Sequence, residues 1–209
     1  MALMTTLPRH AIVLAAGRGS RLGRGPKALL PWGDEVLVTR AARAAAQAGC
    51  TVAVTLRPRA RTARAWLRDR CPAAHPIGVH DAHLGMSASL RAAVLPLVMT
   101  DAPPQAVIVL LVDQPGVDEQ VIRRLFAAHV PGRVTRAMWN GIPGNPVVFD
   151  TAHLLSAAAC AEGDAGARAW ISRNRRLVDA VECGDLGHGD DIDEPADLQR
   201  WLAKESAGR

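Results

Sequence analysis

The run Ile12-Val13-Leu14-Ala15-Ala16-Gly17-Arg18-Gly19-Ser20-Arg21-Leu22-Gly23, followed at once by Gly25-Pro26-Lys27, carries the residue types needed to hold a polyphosphate. An apolar stretch that reads as a buried strand gives way to small residues, then to glycines interleaved with arginines. Glycine lets successive main-chain N–H groups turn toward an anion with no Cβ in the way. Arg18, Arg21 and Lys27 add full positive charge around such a nest. Lysine is scarce here, Lys204 being the only other one. A compact ammonium kept where arginine is the default implies a narrow site.

Two familiar phosphate loops do not fit. A P-loop needs Gly-Lys-Ser/Thr, whereas Lys27 follows Pro26 and precedes Ala28, so the magnesium-binding hydroxyl is missing. The dinucleotide fingerprint needs Gly-x-Gly-x-x-Gly, and Gly17, Gly19 and Gly23 have one residue too many between the last two. The second strand, Thr51 to Leu56, runs into Arg57-Pro58-Arg59 rather than an acid. An arginine there could meet a 2′-phosphate, which leaves an NADP enzyme as an alternative; with no tyrosine in the chain, a reductase using a tyrosine proton donor is excluded. A glycine-rich surface turn is the plain structural alternative.

The other chemistry-bearing residues fall where strands or loops end. Ala106 to Val112 reads as a buried strand that delivers Asp113 to its carboxyl end, ahead of Gln114-Pro115-Gly116. A carboxylate there suits magnesium, which takes hard oxygen ligands from one or two protein carboxylates, substrate phosphates and water. The alternative is an Asx-turn. In Asp190-Asp191-Ile192-Asp193-Glu194-Pro195, Asp193 has a structural reading as the N-cap of the last helix, which leaves Asp191 as the preferred metal ligand. Gly85-Met86-Ser87 opens a helix: Ser87 is a natural N-cap, and Gly85 would let backbone approach a flat base. Asn145, between Gly144 and Pro146, faces an acceptor substrate or belongs to a hairpin connection. Asp164 is likewise an acceptor contact or a helix cap. The histidines show no spacing that builds a metal cluster, and they read as solvated or packed.

Short apolar runs alternating with alanine-rich amphipathic stretches place these residues on an α/β fold with a mainly parallel twisted sheet flanked by helices on both faces. Strands are predicted near His10 to Leu14, Thr51 to Leu56, Gly78 to His80, Ala106 to Val112, Val134 to Trp139, Val147 to Phe149 and Leu177 to Glu182. Helices are predicted near Leu37 to Ala48, Arg59 to Arg70, Ser87 to Leu95, Asp118 to His129, Thr151 to Ala158, Gly166 to Asn174 and Pro195 to Lys204. Ligands of such sheets bind beyond the strands' carboxyl ends. The 209 residues, 49% of them hydrophobic, fit one domain spanning residues 1–209. Cys50, Cys71, Cys160 and Cys183 form no Cys-x-x-Cys pair and read as buried thiols. A net charge of +5 with scattered arginines and 3% aromatics argues against nucleic acid and for small anionic ligands. Neither a signal peptide nor a membrane span is expected, which makes the cytoplasm the default.

The ordered set Leu14-Ala15-Ala16-Gly17 with Arg21 and Pro26-Lys27, Gly85-Met86-Ser87, Asp113-Gln114-Pro115, Gly144-Asn145-Pro146, Gly163 to Arg168, and Asp191-Ile192-Asp193 resembles the MobA-like nucleotidyltransferases across nearly the whole chain. The resemblance implies a Rossmann-like nucleotidyltransferase fold that uses Mg2+. It implies transfer of a nucleoside monophosphate from an NTP to an acceptor phosphate with loss of pyrophosphate. In that scheme Leu14 to Ser20 and Lys27 hold the nucleotide with Gly85 and Ser87 near its base, and Arg21, Lys27 and Asp113 are catalytic. Asp113, Asp191 and Asp193 hold the metal, and Asn145 and Asp164 meet the acceptor. Ala15-Ala16-Gly17 is similar to the cytidylyl branch, where the guanylyl branch has Ala-Gly-Gly, so CTP is the implied donor and molybdopterin the implied acceptor. A molybdoenzyme or its chaperone is then the implied recipient of the product. Asn145 departs from that branch, where histidine is common. Guanylyl transfer, a sugar or isoprenoid phosphate acceptor, and a non-enzymatic cofactor-binding role are the alternatives.

Overall fold

The computed structural model describes residues 9–19, 23, 25–194 and 196–201. The expected site residues Ser20 and Arg21 lie outside these, as do Pro195 and Lys204 at the ends of the last predicted helix; residues 196–201 are helical.

In chain order the strands are β1 (Arg9–Leu14), β2 (Pro31–Trp32), β3 (Glu35–Val36), β4 (Cys50–Leu56), β5 (Ala74–Gly78), β6 (Ala106–Leu111), β7 (Val134–Trp139), β8 (Ile142–Asp150) and β9 (Val178–Glu182). The helices are α1 (Leu37–Gln47), α2 (Arg61–Arg70), α3 (Met86–Val98), α4 (Glu119–Ala128), α5 (Thr151–Ala159) and α6 (Arg168–Arg173). Seven strands form one sheet in the order β5-β4-β1-β6-β8-β7-β9, while β2 and β3 pair separately. Four of the six adjacent pairings are parallel; β8 runs antiparallel to both β6 and β7.

The alternation within β1 shows why helices cover both faces. Ala11 and Val13 pack with Leu37, Val38, Leu67, Ile122 and Leu125 of α1, α2 and α4. Ile12 and Leu14 point the other way, toward Leu90, Val94, Leu154 and Trp170 of α3, α5 and α6. Successive side chains of a strand face opposite sides, so a strand covered on both faces reads as an unbroken apolar run. Leu14 pairs with Thr55 on one side and Leu111 on the other, so β1, β4 and β6 end level. This register brings Ala15 to Gly17, Arg57 and Asp113 to the same rim.

Two predicted strands needed correction. The fifth strand is Ala74–Gly78 rather than Gly78 to His80, and it contains Pro76 at the sheet edge. Proline cannot donate to a ladder and argues against a regular strand, which hides this edge strand from a sequence reading. The segment read as a loop around Asn145 is instead the start of the nine-residue β8. Asn140 and Gly141 both adopt positive φ, at 50° and 82°, and turn β7 directly into β8 as a tight hairpin.

The cysteines also differ from expectation, since Cys160 is exposed and Cys50 only half-buried. Burial pushes the Cys50 thiol up to about 11, and it raises Cys71 and Cys183 as well. A raised thiol pKa means less thiolate at neutral pH, and the thiolate is the reactive form. A disulfide exchange reagent at about pH 8 should therefore titrate one fast thiol in the native protein, removed by Cys160→Ser. A second fast thiol in that variant would contradict the assignment.

Candidate active site

The site forms where three separate chain segments meet at the level ends of β1 and β6. Lys27 opens a 3-10 turn, Lys27–Leu29, fixed by main-chain bonds from Leu29 to Pro26 and from Leu30 to Lys27. The loop leaving β1 folds back onto this turn so tightly that a Cβ on Gly19 would lie 2.4 Å from the Gly25 carbonyl oxygen. Lys27 Nζ donates to Asp113 Oδ2 and Asp193 Oδ1, each at 2.6 Å. Burial by itself would lower the Lys27 pKa, but the Asp113 and Asp193 carboxylates outweigh it and the net shift is upward. The ammonium is therefore charged throughout the neutral range.

Asp113 reaches this position because the turn after β6 is held from both sides. Arg40 Nε on α1 donates to the Pro115 carbonyl at 2.7 Å. From the other side, the Ile192 amide donates to the Asp113 carbonyl at 2.9 Å, and Gln114 Nε2 donates to the Gly189 carbonyl at 2.9 Å. At Gly116 a Cβ would stand 2.2 Å from the His188 carbonyl oxygen, so the two segments touch backbone to backbone. His188 in turn stacks on Trp201, with centroids 3.9 Å apart. This irregular segment carries Asp191 and Asp193 to the rim.

Asp193 is not the N-cap of the last helix. The Asp197 carboxylate accepts the Asp193 and Glu194 amides, at 3.0 and 2.8 Å, which leaves the Asp193 side chain to Lys27. Asp191 is pushed up to about 6, first by loss of hydration and then by the neighbouring Asp113 charge, against a bond from Gln114. Among the described residues no group of three or more His, Cys, Asp or Glu side chains is arranged to hold a metal by itself. The donor set nonetheless fits a hard divalent cation. All donors are carboxylate oxygens, their mutual repulsion falls when a cation is added, and Mg2+ or Mn2+ completes its shell with phosphate and water.

Two cavities open on this cluster. One of about 360 Å³ is lined by Leu14, Ala16, Gly17, Arg18, Gly19, Lys27 and Gly85, expected as nucleotide residues, and by Asp113, expected as a catalytic and metal residue. Ala15 is adjacent but buried, with its amide bonded to Thr55 Oγ1 at 3.1 Å. The second, of about 350 Å³, joins Lys27, Asp113, Asp191 and Asp193 to Asn145 and Asp164. It also takes in Arg136 and Arg168, which sequence reasoning did not single out. Arg136 is lowered by burial and by the Arg168 charge, and its Nε donates to the Gly144 carbonyl. Two guanidiniums set close enough to oppose each other mark that wall as suited to an anion.

The start of α3 departs from the sequence reading. Ser87 is not an N-cap and does not line the 360 Å³ cavity; it lies buried in the first turn with its hydroxyl toward Arg91, and Ser89 lines that cavity instead. The cap comes from across the molecule, where Asp164 Oδ1 accepts the Met86 amide at 3.3 Å. Gly85, at φ 96°, makes this possible, because a Cβ there would fall 2.5 Å from Asp164 Oδ1 and 2.6 Å from the Gly163 backbone. The need for glycine here includes a contact between two loops.

A level sheet edge that gathers a glycine-arginine loop, a lysine and converging carboxylates defines a protein of the nucleotidyltransferase class. Residues 11–179 match the MobA-like NTP transferase domain, and the chain belongs to that family. It is 35% identical over 202 residues to nicotine blue oxidoreductase of Paenarthrobacter nicotinovorans, covering 91% of this chain and 95% of that one. Rv0371c of Mycobacterium tuberculosis H37Rv superposes with a TM-score of 0.79 at 28% identity, over 96% of this chain and 100% of that one. The same protein has been solved as a manganese complex, matching at 26% identity and a TM-score of 0.74 over 94% and 98% of the two chains. A nucleotidyl transferase from Methanothermobacter shares the fold, with a TM-score of 0.80 at 20% identity over 98% and 100%.

The loop contact yields a stability prediction. Gly85→Ala combines a positive φ with a clash against immobile Gly163 backbone, and it should cost about 1–3 kcal/mol. The urea midpoint is expected to fall with an unchanged slope. A midpoint equal to the wild type's would show that the two loops part freely.

Proposed function

We propose that the protein is a divalent-metal-dependent cytidylyltransferase that moves CMP from CTP to the phosphate of molybdopterin and releases pyrophosphate. The observation that carries this reading is Lys27 held 2.6 Å from both Asp113 and Asp193 at the mouth of the glycine-loop cavity. The loop residues Ala16 to Gly19 and Lys27 take the triphosphate, with Arg21 and Ser20 completing the loop in sequence. Asp113 and Asp193, with Asp191 beside them, would hold Mg2+, which when bound screens the charge of the phosphates. Lys27 then exchanges its carboxylate partners for phosphate oxygens.

An acceptor phosphate oxygen attacks the α-phosphorus, the bond to the β-phosphate oxygen breaks, and pyrophosphate leaves with that electron pair. The nucleophile is already anionic, so no strong general base is required. Alignment and neutralisation of charge supply the rate. Arg136, Arg168, Asn145 and Asp164 surround the place where an acceptor would enter. Ala16, buried against the nucleotide cavity, supports cytosine through the space its methyl takes. A molybdoenzyme or its chaperone would receive the product.

The Paenarthrobacter relative, named as an oxidoreductase, favours a second reading in which the same cavities serve a redox reaction. Such a reaction needs an electron carrier and a proton donor other than tyrosine, of which the chain has none.

Purified protein incubated with each NTP, Mg2+ or Mn2+ and molybdopterin is expected to release pyrophosphate most rapidly with CTP and to give a dinucleotide by mass spectrometry. Asp113→Asn should lower kcat by roughly 10²-fold or more, and Lys27→Met should lower kcat/KM for CTP by about 10²–10³-fold. Both variants should keep the wild-type circular dichroism. No pyrophosphate from any NTP, together with sustained NADPH oxidation, would move the assignment to the redox reading.

A further inference from the structure

Gly144 and Gly189 are required for a reason other than backbone conformation. Neither adopts a positive φ, and both face the indole of Trp139, the last residue of β7. A Cβ on Gly144 would lie 2.6 Å from the indole Cδ1 and 2.8 Å from Nε1. One on Gly189 would lie 2.1 Å from Nε1 and 2.4 Å from Cδ1. The ring therefore sits in a slot made by two glycines from separate segments, with no room for a side chain on either.

Those segments lead to opposite duties at the carboxylate cluster. On the β8 side, Arg136 pairs with Val147 and, after a register shift, Met138 pairs with Pro143, so Gly144, Asn145 and Pro146 stand opposite Ala137 alone. A bulge of this kind takes main-chain groups out of the ladder and re-aims the strand. Here those groups are recovered by side chains of β7. Trp139 Nε1 donates to the Asn145 carbonyl at 2.8 Å, and Arg136 Nε donates to the Gly144 carbonyl at 2.8 Å. On the other side, Gly189 holds Gln114 Nε2 through its carbonyl and runs directly into Asp191 and Asp193. Asn145, Asp191 and Asp193 line the same 350 Å³ cavity, whereas Trp139 lines neither cavity that opens on the cluster.

Trp139 is buried, and filling the core would by itself call for neither glycine. A buried indole needs a partner for its N–H, and this one finds it on the bulge. Phenylalanine would supply an aromatic ring without the donor. The segment carrying Asp191 and Asp193 has no strand pairing of its own, so a flat, rigid ring against Gly189 limits where its carboxylates can stand. Groups that orient metal ligands without touching the metal change affinity by roughly 10–100-fold when removed.

We propose that Trp139 is a positioning residue of the metal centre. Its indole, wedged between Gly144 and Gly189, sets the Asp191–Asp193 segment against the Asn145 bulge. This role rests on the reading of Asp113, Asp191 and Asp193 as the acids that hold the divalent cation. Trp139 acts on them only through backbone contact.

Mn2+ titrated into the full-length protein, with the signal of the free ion followed by electron paramagnetic resonance, tests this. Trp139→Phe should raise the Mn2+ dissociation constant by about fivefold or more, while the melting temperature falls by no more than about 4 °C. Pyrophosphate release from CTP by this variant should be low at limiting Mn2+ and return to within about twofold of the wild type when Mn2+ saturates. A loss of folded protein would give no such recovery. Gly144→Ala, at a residue that holds no metal, should weaken Mn2+ by about fivefold or more in the wild-type background. In a Trp139→Leu background, where the indole is gone, its effect should shrink below about twofold. No Mn2+ binding by the wild type, unchanged binding in Trp139→Phe, or an equal effect of Gly144→Ala in both backgrounds would each overturn the proposal. Mn2+ shifts of the expected size in a protein that releases no pyrophosphate from any NTP would support the role of Trp139 and set aside the transferase reading alone.

Discussion

Everything at the rim depends on one ammonium group. Lys27 is joined to Asp113 and Asp193 across 86 and 166 residues of sequence, so two carboxylates from distant segments are held within reach of each other by a single positive charge. Two like charges about 4 Å apart repel by roughly 1 kcal/mol in water and about 4 kcal/mol near a protein surface. The lysine removes that cost in the ligand-free chain. Burial first, and then the neighbouring Asp113 charge, raise the Asp191 carboxyl beside this pair.

Sheet register and backbone contact supply the positioning. Parallel β1, β4 and β6 stop at the same height, which places the glycine loop, Arg57 and Asp113 side by side without further design. The irregular segment with Asp191 and Asp193 has no ladder of its own. It is fixed by the Ile192 amide on Asp113, by Gln114 on Gly189 and by the close approach at Gly116. The same device recurs at Gly85, where Asp164 caps α3 from a remote loop. The fold supplies this frame, while function lives in the side chains placed on it.

Much of this was legible in the residues. The unbroken apolar runs of β1, β4 and β6 announced buried parallel strands, because a strand covered on both faces has no polar side to show. The glycine-arginine loop, Lys27 and Asp113 were readable because their chemistry is tied to local position: a turn after a strand and an acid at a strand end. Pro76 hid the fifth strand, and Asn140-Gly141 moved the hairpin turn ahead of the segment read as a loop.

Residues whose roles depend on distant partners were not legible. Ser87 has the composition of a cap, yet Asp164 provides it, because only tertiary packing brings residue 164 to the amide of Met86. Asp193 likewise reads as a local cap, yet its amide is held by Asp197 and its carboxylate by Lys27. Arg136 and Arg168 lie on different elements and meet only across a cavity. The sequence by itself determined most of the elements, the glycine-arginine loop after β1 and the acid at the end of β6, since these follow from local backbone preference and periodicity. The tertiary structure decided which oxygens face Lys27, which residue caps α3 and which arginines share a cavity, because those outcomes rest on charge and packing between segments far apart along the chain.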